Sequence, residues 1–424
     1  MIDIFLDIKY NIDGTMYRKA DTMNYEKKEL LKTTEIQSPV KVSVVLPVYN
    51  AAEFLPKCLD SLISQTLEEI EIICVNDGST DDSLSIIQDY AGVDRRIICI
   101  DQENTNAGKA RNVGMERASG KYLYFPDADD YAASNLLQKA YETSEEYQTD
   151  ICVFASSMFD SQTGNVRPYR SSVRVSMLPD KKVFNTDDIN GNPLRCFVGW
   201  AWDKFYRRSF ITENHLQFQE QRTTNDLYFV MASLLKAERI TYLPDCLYYQ
   251  RRNNPQSLTE TRHLSWECFY HAVMKVRSEL IDMGIYDKYE KHFINFALRR
   301  CIWNLTTMQD EGAAILFDRL REEWFDDLEI KDHGAEFYDD PGDYEQLMLI
   351  LQATEHEGCS AYYDYVIRRL KLENQKLTDP KRRIRISPHE VLPQDLLIKR
   401  LIWNREQRII LSEKLKQLEE KLKK

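Results

Sequence analysis

Residues 122–130 read YLYFPDADD, an apolar run that stops at Asp127, Ala128, Asp129 and Asp130. A buried strand that empties into carboxylates puts negative charge at a strand's C-terminal end. In open α/β sheets that edge is where ligands bind. The first and third residues of D-A-D can face one small volume, and carboxylates held that close repel unless a cation or proton lies between them. The ordinary cation is Mg²⁺ or Mn²⁺, held by one or two carboxylates together with substrate phosphates. On this reading Asp129 is a metal ligand, and Asp127 holds a ribose or shares the metal. Asp130 is either part of the same cluster or a cap for the next element of the chain.

Strands alternate with helices on both sides of this stretch. VSVVLP (42–47), IEIICVN (70–76), IICI (97–100), YLYF (122–125) and ICVFA (151–155) read as strands. Helical spacing covers residues 52–64, 83–90, 109–118 and 136–147. That alternation implies a parallel, doubly wound sheet, Rossmann-like, with its loops gathered on one side by right-handed crossovers. Residues 156–195 read as an irregular insertion, and the segment from Arg195 to about Ser257 as aromatic and mixed. The expected organisation is an N-terminal arm (1–40, with a helix near 25–32), an α/β domain (41–259), a helical accessory domain (260–392) and a basic amphipathic C-terminal helix (393–424).

Composition narrows the class. The 424 residues allow two or three domains, and 43% apolar content is that of a globular protein. A net charge of −12 argues against nucleic acid as a partner. No run approaches a membrane span, and the N-terminus lacks the basic leader of a secretory signal. Nine dispersed cysteines without C-x-x-C spacing read as reduced thiols in a cytoplasmic protein.

Each strand-end loop admits two readings. In VYNAAEF (48–54), Asn50 and Glu53 fit a helix capping box; alternatively Glu53 meets a ligand, together with the backbone around Val48. In VNDGSTDDS (75–83), Asp77 can accept from the N–H of a base or from a ribose hydroxyl, or it bonds its own turn. Ser79 or Thr80 can cap the next helix, with Asp81 and Asp82 in its first turn. In ENTNAGKARNVG (103–114), Arg111 can stack on a base or bind phosphate, while Lys109 reads as a solvated residue.

Together these motifs, VSVVLPVYNAAEFLPKCLDSLISQT, IEIICVNDGSTDDS, ARNVG and GKYLYFPDADD, resemble family 2 glycosyltransferases of the GT-A fold, including those that build bacterial surface polysaccharides. The resemblance covers residues 42 to about 259. It implies that Val48, Glu53, Asp77, Arg111 and Asp127 bind a nucleotide-sugar donor, a UDP-sugar foremost, and that Asp129 binds the metal. It implies inverting transfer to a glycan or lipid-linked glycan acceptor. The family's catalytic base is the Asp of an E-D pair, which falls on Asp226 in RTTNDLYFVMASL (222–234), with Asn225 in place of the Glu. Read from the residues alone, Asp226 is a first-turn helix residue. Asn106 stands where many relatives have Gly. WAWDKFYRRSF (200–210) resembles the acceptor side: Trp202 is expected on a sugar face, with Trp200 in the core, and Lys204 on a phosphate or a neighbouring carboxylate. In 242–259, Arg251 or Arg252 either closes over the diphosphate or is solvated.

Two rivals stand beside the transferase. A nucleotidyltransferase would carry a basic Gly-rich loop after the first strand, which VLPVYNAAEF lacks. A non-catalytic scaffold would keep the nucleotide site, and Asn225 is the feature in its favour. The helical C-terminal half leaves acceptor binding, a homodimer and peripheral membrane contact open, the last through Lys381, Arg382, Arg383, Arg385 and the basic final helix at the inner face of the cell membrane, with a partner helix or a plain solvated helix as the favoured reading of that basic segment.

Overall fold

Alternation along β1 (Val42–Val48) sends Val42, Val44, Leu46 and Val48 to one face of a sheet and Val45 to the other. Both faces are covered, so β1 and all of β2 (Ile70–Asp77) are almost completely buried. The computed structural model describes residues 39–161, 163–252, 261–308, 310–353, 362, 365 and 366. The expected helix at 25–32, the boundary at 259/260, the Lys381–Arg385 stretch and the C-terminal helix lie outside these residues.

The chain order is β1, α1 (Leu55–Ile63), β2, α2 (Ser83–Val93), β3 (Ile97–Gln102), α3 (Ala107–Arg117), β4 (Tyr122–Tyr124), β5 (Tyr131–Ala132), α4 (Leu136–Tyr147) and β6 (Ile151–Asp160). Next come β7 (Val166–Pro168), β8 (Lys204–Arg207), α5 (Arg208–Glu213), α6 (Leu227–Lys236) and β9 (Ile240–Arg252). The sheet runs β3-β2-β1-β4-β8-β6-β9-β5, with β7 beside β6. Strands β3, β2, β1 and β4 are mutually parallel. Strand β8 then lies antiparallel between β4 and β6, and β6 pairs with β9 in parallel. The mostly parallel α/β sheet is as expected, but its fifth position is not. ICVFA does not pair with β4, because KFYR from the mixed segment comes between them. That strand has four residues, of which Lys204, Phe205 and Tyr206 are fully buried, so it shows no alternation.

One face packs on α1 and α4 through Leu55, Leu59, Leu62, Leu136 and Ala140. On the other, α3 comes so close that a Cβ on Gly114 would stand 2.3 Å from Val45 Cγ1. The same second-face core continues through Phe229 and Val230 of α6 into a helical C-terminal region. That region comprises α7 (Cys268–Asp282), α8 (Tyr286–Thr307), α9 (Asp310–Arg319), which continues through a π turn, and α10 (Pro341–Gln352). Among the described residues no helix is long and apolar enough to cross a membrane.

Candidate active site

Asp77 ends β2 in register with Gln102 at the end of β3. Its Oδ1 accepts from Gln102 Nε2 (2.7 Å), Thr105 N (3.0 Å) and Thr105 Oγ1 (3.0 Å), while Oδ2 is outside that set. The carboxylate is therefore fixed in place by the third loop, with one oxygen left over. Gly78 turns the chain at φ +67°, and a Cβ there would lie 2.5 Å from the Asn104 amide. Gly78→Ala is expected to cost about 1–3 kcal/mol through that strain and contact, read as a lowered urea midpoint.

The first two loops are cross-linked, which corrects the capping expectations. Asn50, at φ +46°, accepts from Thr80 N (2.8 Å), and its own amide donates to Ser79 Oγ (3.0 Å). Helix α1 starts after Phe54, without a side-chain cap, so there is no Asn50–Glu53 capping box. Glu53 is exposed, and Val48 is buried at the end of β1 beside Asn76. Ser79 and Thr80 serve the first loop rather than α2, while Asp81 receives Ala52 N and Ser83 N (both 3.0 Å). Asn106 has extended backbone, so no glycine is required, and its side chain caps α3 by accepting from Lys109 N (2.9 Å).

Arg111 joins the remaining parts. It is 6% exposed on α3 and reaches two loops at once. Its Nη2 donates to Asp127 Oδ1 (2.6 Å) and its Nη1 to Asn225 Oδ1 (2.9 Å), with the guanidinium 5.3 Å from the Phe218 ring centroid. Asn225 is thus a neutral acceptor for a cation already paired with Asp127. Thr224, a β-branched residue, is held at φ +56° immediately before it. Gln221 Nε2 ties that turn by donating to Thr224 O (3.1 Å) and Cys268 O (3.0 Å). Such strain is sustained only where the surroundings over-determine it.

Asp226 occupies the residue before α6, yet its carboxyl makes no capping bond. Burial, reinforced by the charge on Asp127, pushes its carboxyl up to about 6, against the pull of Arg111 and Arg300.

The D-A-D-D turn is held from β9. The pairing Tyr131↔Tyr249 returns Arg251 to the cluster. Asp130 is no cap: buried, it accepts from Arg251 N (2.6 Å) and Tyr248 Oη (2.8 Å). Burial and the charges of Asp129 and Asp127 hold its carboxyl well above the usual range. Tyr248 Oη also receives the Asp127 amide (3.1 Å). Asp127 keeps 34% of its side chain exposed and Asp129 is partly exposed, so both remain accessible to a ligand. Arg251 Nε donates to Asp129 O (2.7 Å), whereas the guanidinium of Arg252 lies 5.3 Å from the Tyr169 ring. Among the described residues, no three His, Cys, Asp or Glu side chains converge as a metal site. Two accessible acids on one turn nevertheless suit a cation whose other ligands are diphosphate oxygens.

Two acceptor-side expectations are corrected. Trp202 is 2% exposed, with its faces taken by Trp200 (5.0 Å) and Tyr248 (4.7 Å), so no sugar can stack on it. Trp200, expected in the core, is the partly exposed one, stacked on Tyr169 at 5.4 Å. Lys204 is fully buried and donates to Val198 O (3.0 Å), Trp200 O (2.8 Å) and Asp203 Oδ1 (2.5 Å). All three of its N–H donors are used, so it meets a carboxylate and not a phosphate.

Sequence reasoning missed Thr105, Phe218, Thr224 and Tyr248. For Thr105 a signal existed, since a strand ending beside Asp77 must bring its own loop there. The other three come together only through tertiary contacts.

Residues 43–213 match the family model described as glycosyl transferase family 2. The chain is 39% identical over 222 residues to the glycosyltransferase EpsJ of Bacillus subtilis, covering 52% of this chain and 63% of EpsJ. It is 30% identical over 285 residues to the glycosyltransferase EpsH of the same organism, covering 66% of this chain and 81% of EpsH. The chain thus spans less than two thirds of EpsJ. In fold it is similar to residues 1–349 of Staphylococcus aureus TarS in complex with UDP, with a TM-score of 0.55 and 22% identity, over 76% of this chain and 88% of that one. A GT-A sheet, the linked strand-end loops and these relatives define the class, and the chain belongs to glycosyltransferase family 2.

Proposed function

We propose that this chain transfers a sugar, with inversion, from a nucleoside diphosphate donor to a hydroxyl of a glycan or lipid-linked glycan. The observation that carries this reading is Arg111, which ties Asp127 to Asn225 and so sets the donor-side acids beside Asp226. Asp77 offers an acceptor oxygen suited to a base N–H, such as that of uracil, and the TarS structure of the same fold holds UDP, so a UDP-sugar is the first donor to test.

In the proposed step the acceptor hydroxyl oxygen attacks the anomeric carbon. The bond from that carbon to the diphosphate oxygen breaks, and the electron pair leaves with the nucleoside diphosphate. Asp226 takes the hydroxyl proton. A carboxylate with a pKa near the working pH is a better base than an ordinary exposed aspartate. Asp129, with Asp127 beside it, would hold a divalent cation, Mn²⁺ or Mg²⁺, which supplies charge neutralisation on the departing diphosphate. Arg251 and the Arg111–Asp127 pair keep the turn in place while the donor binds.

The test is transfer from a panel of UDP-sugars, with the anomeric configuration of the product read by NMR. Inversion is expected, and a retained configuration would overturn the mechanism. With Asp226 as base, kcat/KM should rise with pH through an apparent pKa of about 6 and level off above 7. A profile flat from pH 5 to 8 would remove Asp226 from that role.

A further inference from the structure

The chain around Asp226 is held on both sides by the helical C-terminal region. Ahead of it, residues 221–225 form the turn that carries Thr224 at φ +56°. Arg222 Nη1 donates to Thr261 O (2.9 Å) and Ser265 Oγ (3.1 Å), and its Nη2 to Thr261 Oγ1 (2.8 Å). Thr223 Oγ1 and Ser265 Oγ share a further hydrogen bond (2.9 Å). Gln221 Nε2 donates both to Thr224 O within the turn and to Cys268 O outside it. The outside acceptors belong to Thr261, to the 3₁₀ turn Arg262–Ser265 that follows it, and to the first residue of α7.

Behind Asp226, α6 is pinned to the same region. Tyr228 Oη donates to Glu279 Oε2 (2.6 Å), and Lys236 Nζ pairs with Glu279 Oε1 (2.7 Å). Glu279 is buried on α7, where a charge-assisted hydrogen bond is stronger than in water. The donor-side loops reach the turn separately, through Arg111 Nη1 and Asn225 Oδ1 (2.9 Å). A β-branched residue in the left-handed region relaxes to a right-handed or extended backbone unless its surroundings hold it. Relaxation at Thr224 would redirect the two residues that follow, Asn225 and Asp226.

We propose that the C-terminal helical region completes the active site by holding the base turn, with Gln221 and Arg222 as positioning residues for Asp226. The proposal rests on Asp226 being the base. Arg111 fixes the turn from the donor side at Asn225, and Gln221 and Arg222 fix it from the C-terminal side. Hydrogen bonds that only joined the two regions could fall anywhere along their boundary. These converge on the one turn whose backbone is strained, directly before the base. A catalytic group displaced by about 1 Å can lose ~10²-fold in rate, so the holding contacts bear on turnover although neither side chain touches the reacting atoms.

The test compares the full chain with its Gln221→Ala, Arg222→Gln and Arg222→Lys variants, each also combined with Thr224→Gly. Amide hydrogen exchange over residues 219–230 reads the base turn, and exchange over residues 122–131 reads the donor-side turn. Gln221→Ala and Arg222→Gln should speed exchange in 219–230 about tenfold and leave 122–131 as in the wild type. Thr224→Gly, which takes the left-handed backbone without strain, should recover part of that protection. Arg222→Lys is the milder change and supplies the comparison if Gln221→Ala fails to fold. With any UDP-sugar that the wild type turns over, kcat should fall about tenfold or more while UDP affinity and donor KM stay unchanged. Thr224→Gly should restore part of kcat as well. Unchanged exchange in 219–230, unchanged kcat, or a loss of kcat that Thr224→Gly does not mend would overturn the proposal. So would an equal loss of UDP affinity, the mark of a general structural role. A wild-type chain that binds UDP but transfers no sugar strikes the proposed function, and the exchange result then decides by itself whether the C-terminal region holds the turn.

Discussion

Asp226→Asn should lower kcat by about 10²–10⁴ while leaving UDP affinity unchanged. The amide keeps the shape of the side chain but cannot take a proton from the acceptor hydroxyl. The donor-side contacts of Arg111 with Asp127 and Asn225 do not pass through Asp226, so the nucleotide site should survive. The variant should also be at least as stable as the wild type. Burial raises the Asp226 carboxyl to about 6, so its ionised form is disfavoured in the folded state, and an amide removes that penalty. A kcat within a few-fold of wild type, measured in protein that still binds UDP, would exclude Asp226 as the base. A loss of both stability and UDP binding would show that its role is structural.

Lys204→Met should cost about 3–5 kcal/mol of folding stability, the largest loss expected from one substitution away from the reacting groups. The change strands the Asp203 carboxylate, which is fully buried and whose Oδ2 already lacks a partner, and it orphans the carbonyls of Val198 and Trp200. Burial pushes the Asp203 carboxyl up to about 6 even with Lys204 beside it. The loss should therefore be greater at pH 8, where the carboxylate is charged, than at pH 5, where it holds a proton. Asp203→Asn added to Lys204→Met should recover part of it. The urea midpoint of the three proteins at both pH values decides the matter, and a loss below about 1 kcal/mol would mean that water reaches the pair. In the wild type, Asp203 and Asp226 both titrate higher folded than unfolded. Between pH ~4 and 6 the folded chain binds more protons, so their contribution to stability falls as pH rises through that window.

Local patterns were readable where one physical effect dominates. Helix Leu136–Tyr147 has the bounds that its apolar spacing indicates, and β2 differs from its apolar run by one residue. The strand-end placement of Asp77, Asp127 and Asp129 came from the same runs. Reading failed where a distant group outbids a local one. Asn50 and Glu53 have capping-box spacing, but the Thr80 amide takes the Asn50 oxygen. In WAWDKFY the order of burial is set by β8 entering the sheet, which a four-residue strand without alternation cannot announce. Asn225, a departure from the usual acidic pair, finds its reason in Arg111, a contact made across 114 positions.

The most direct measurement is calorimetric titration of the full chain with UDP, GDP and CDP, each with and without Mn²⁺. If Asp77, Arg111, Asp127 and Asp129 form a donor site, UDP should bind more tightly than GDP or CDP, and its affinity should fall sharply when Mn²⁺ is withheld. No binding of any of the three to folded protein, with Mn²⁺ present, would contradict the nucleotide-sugar transferase reading.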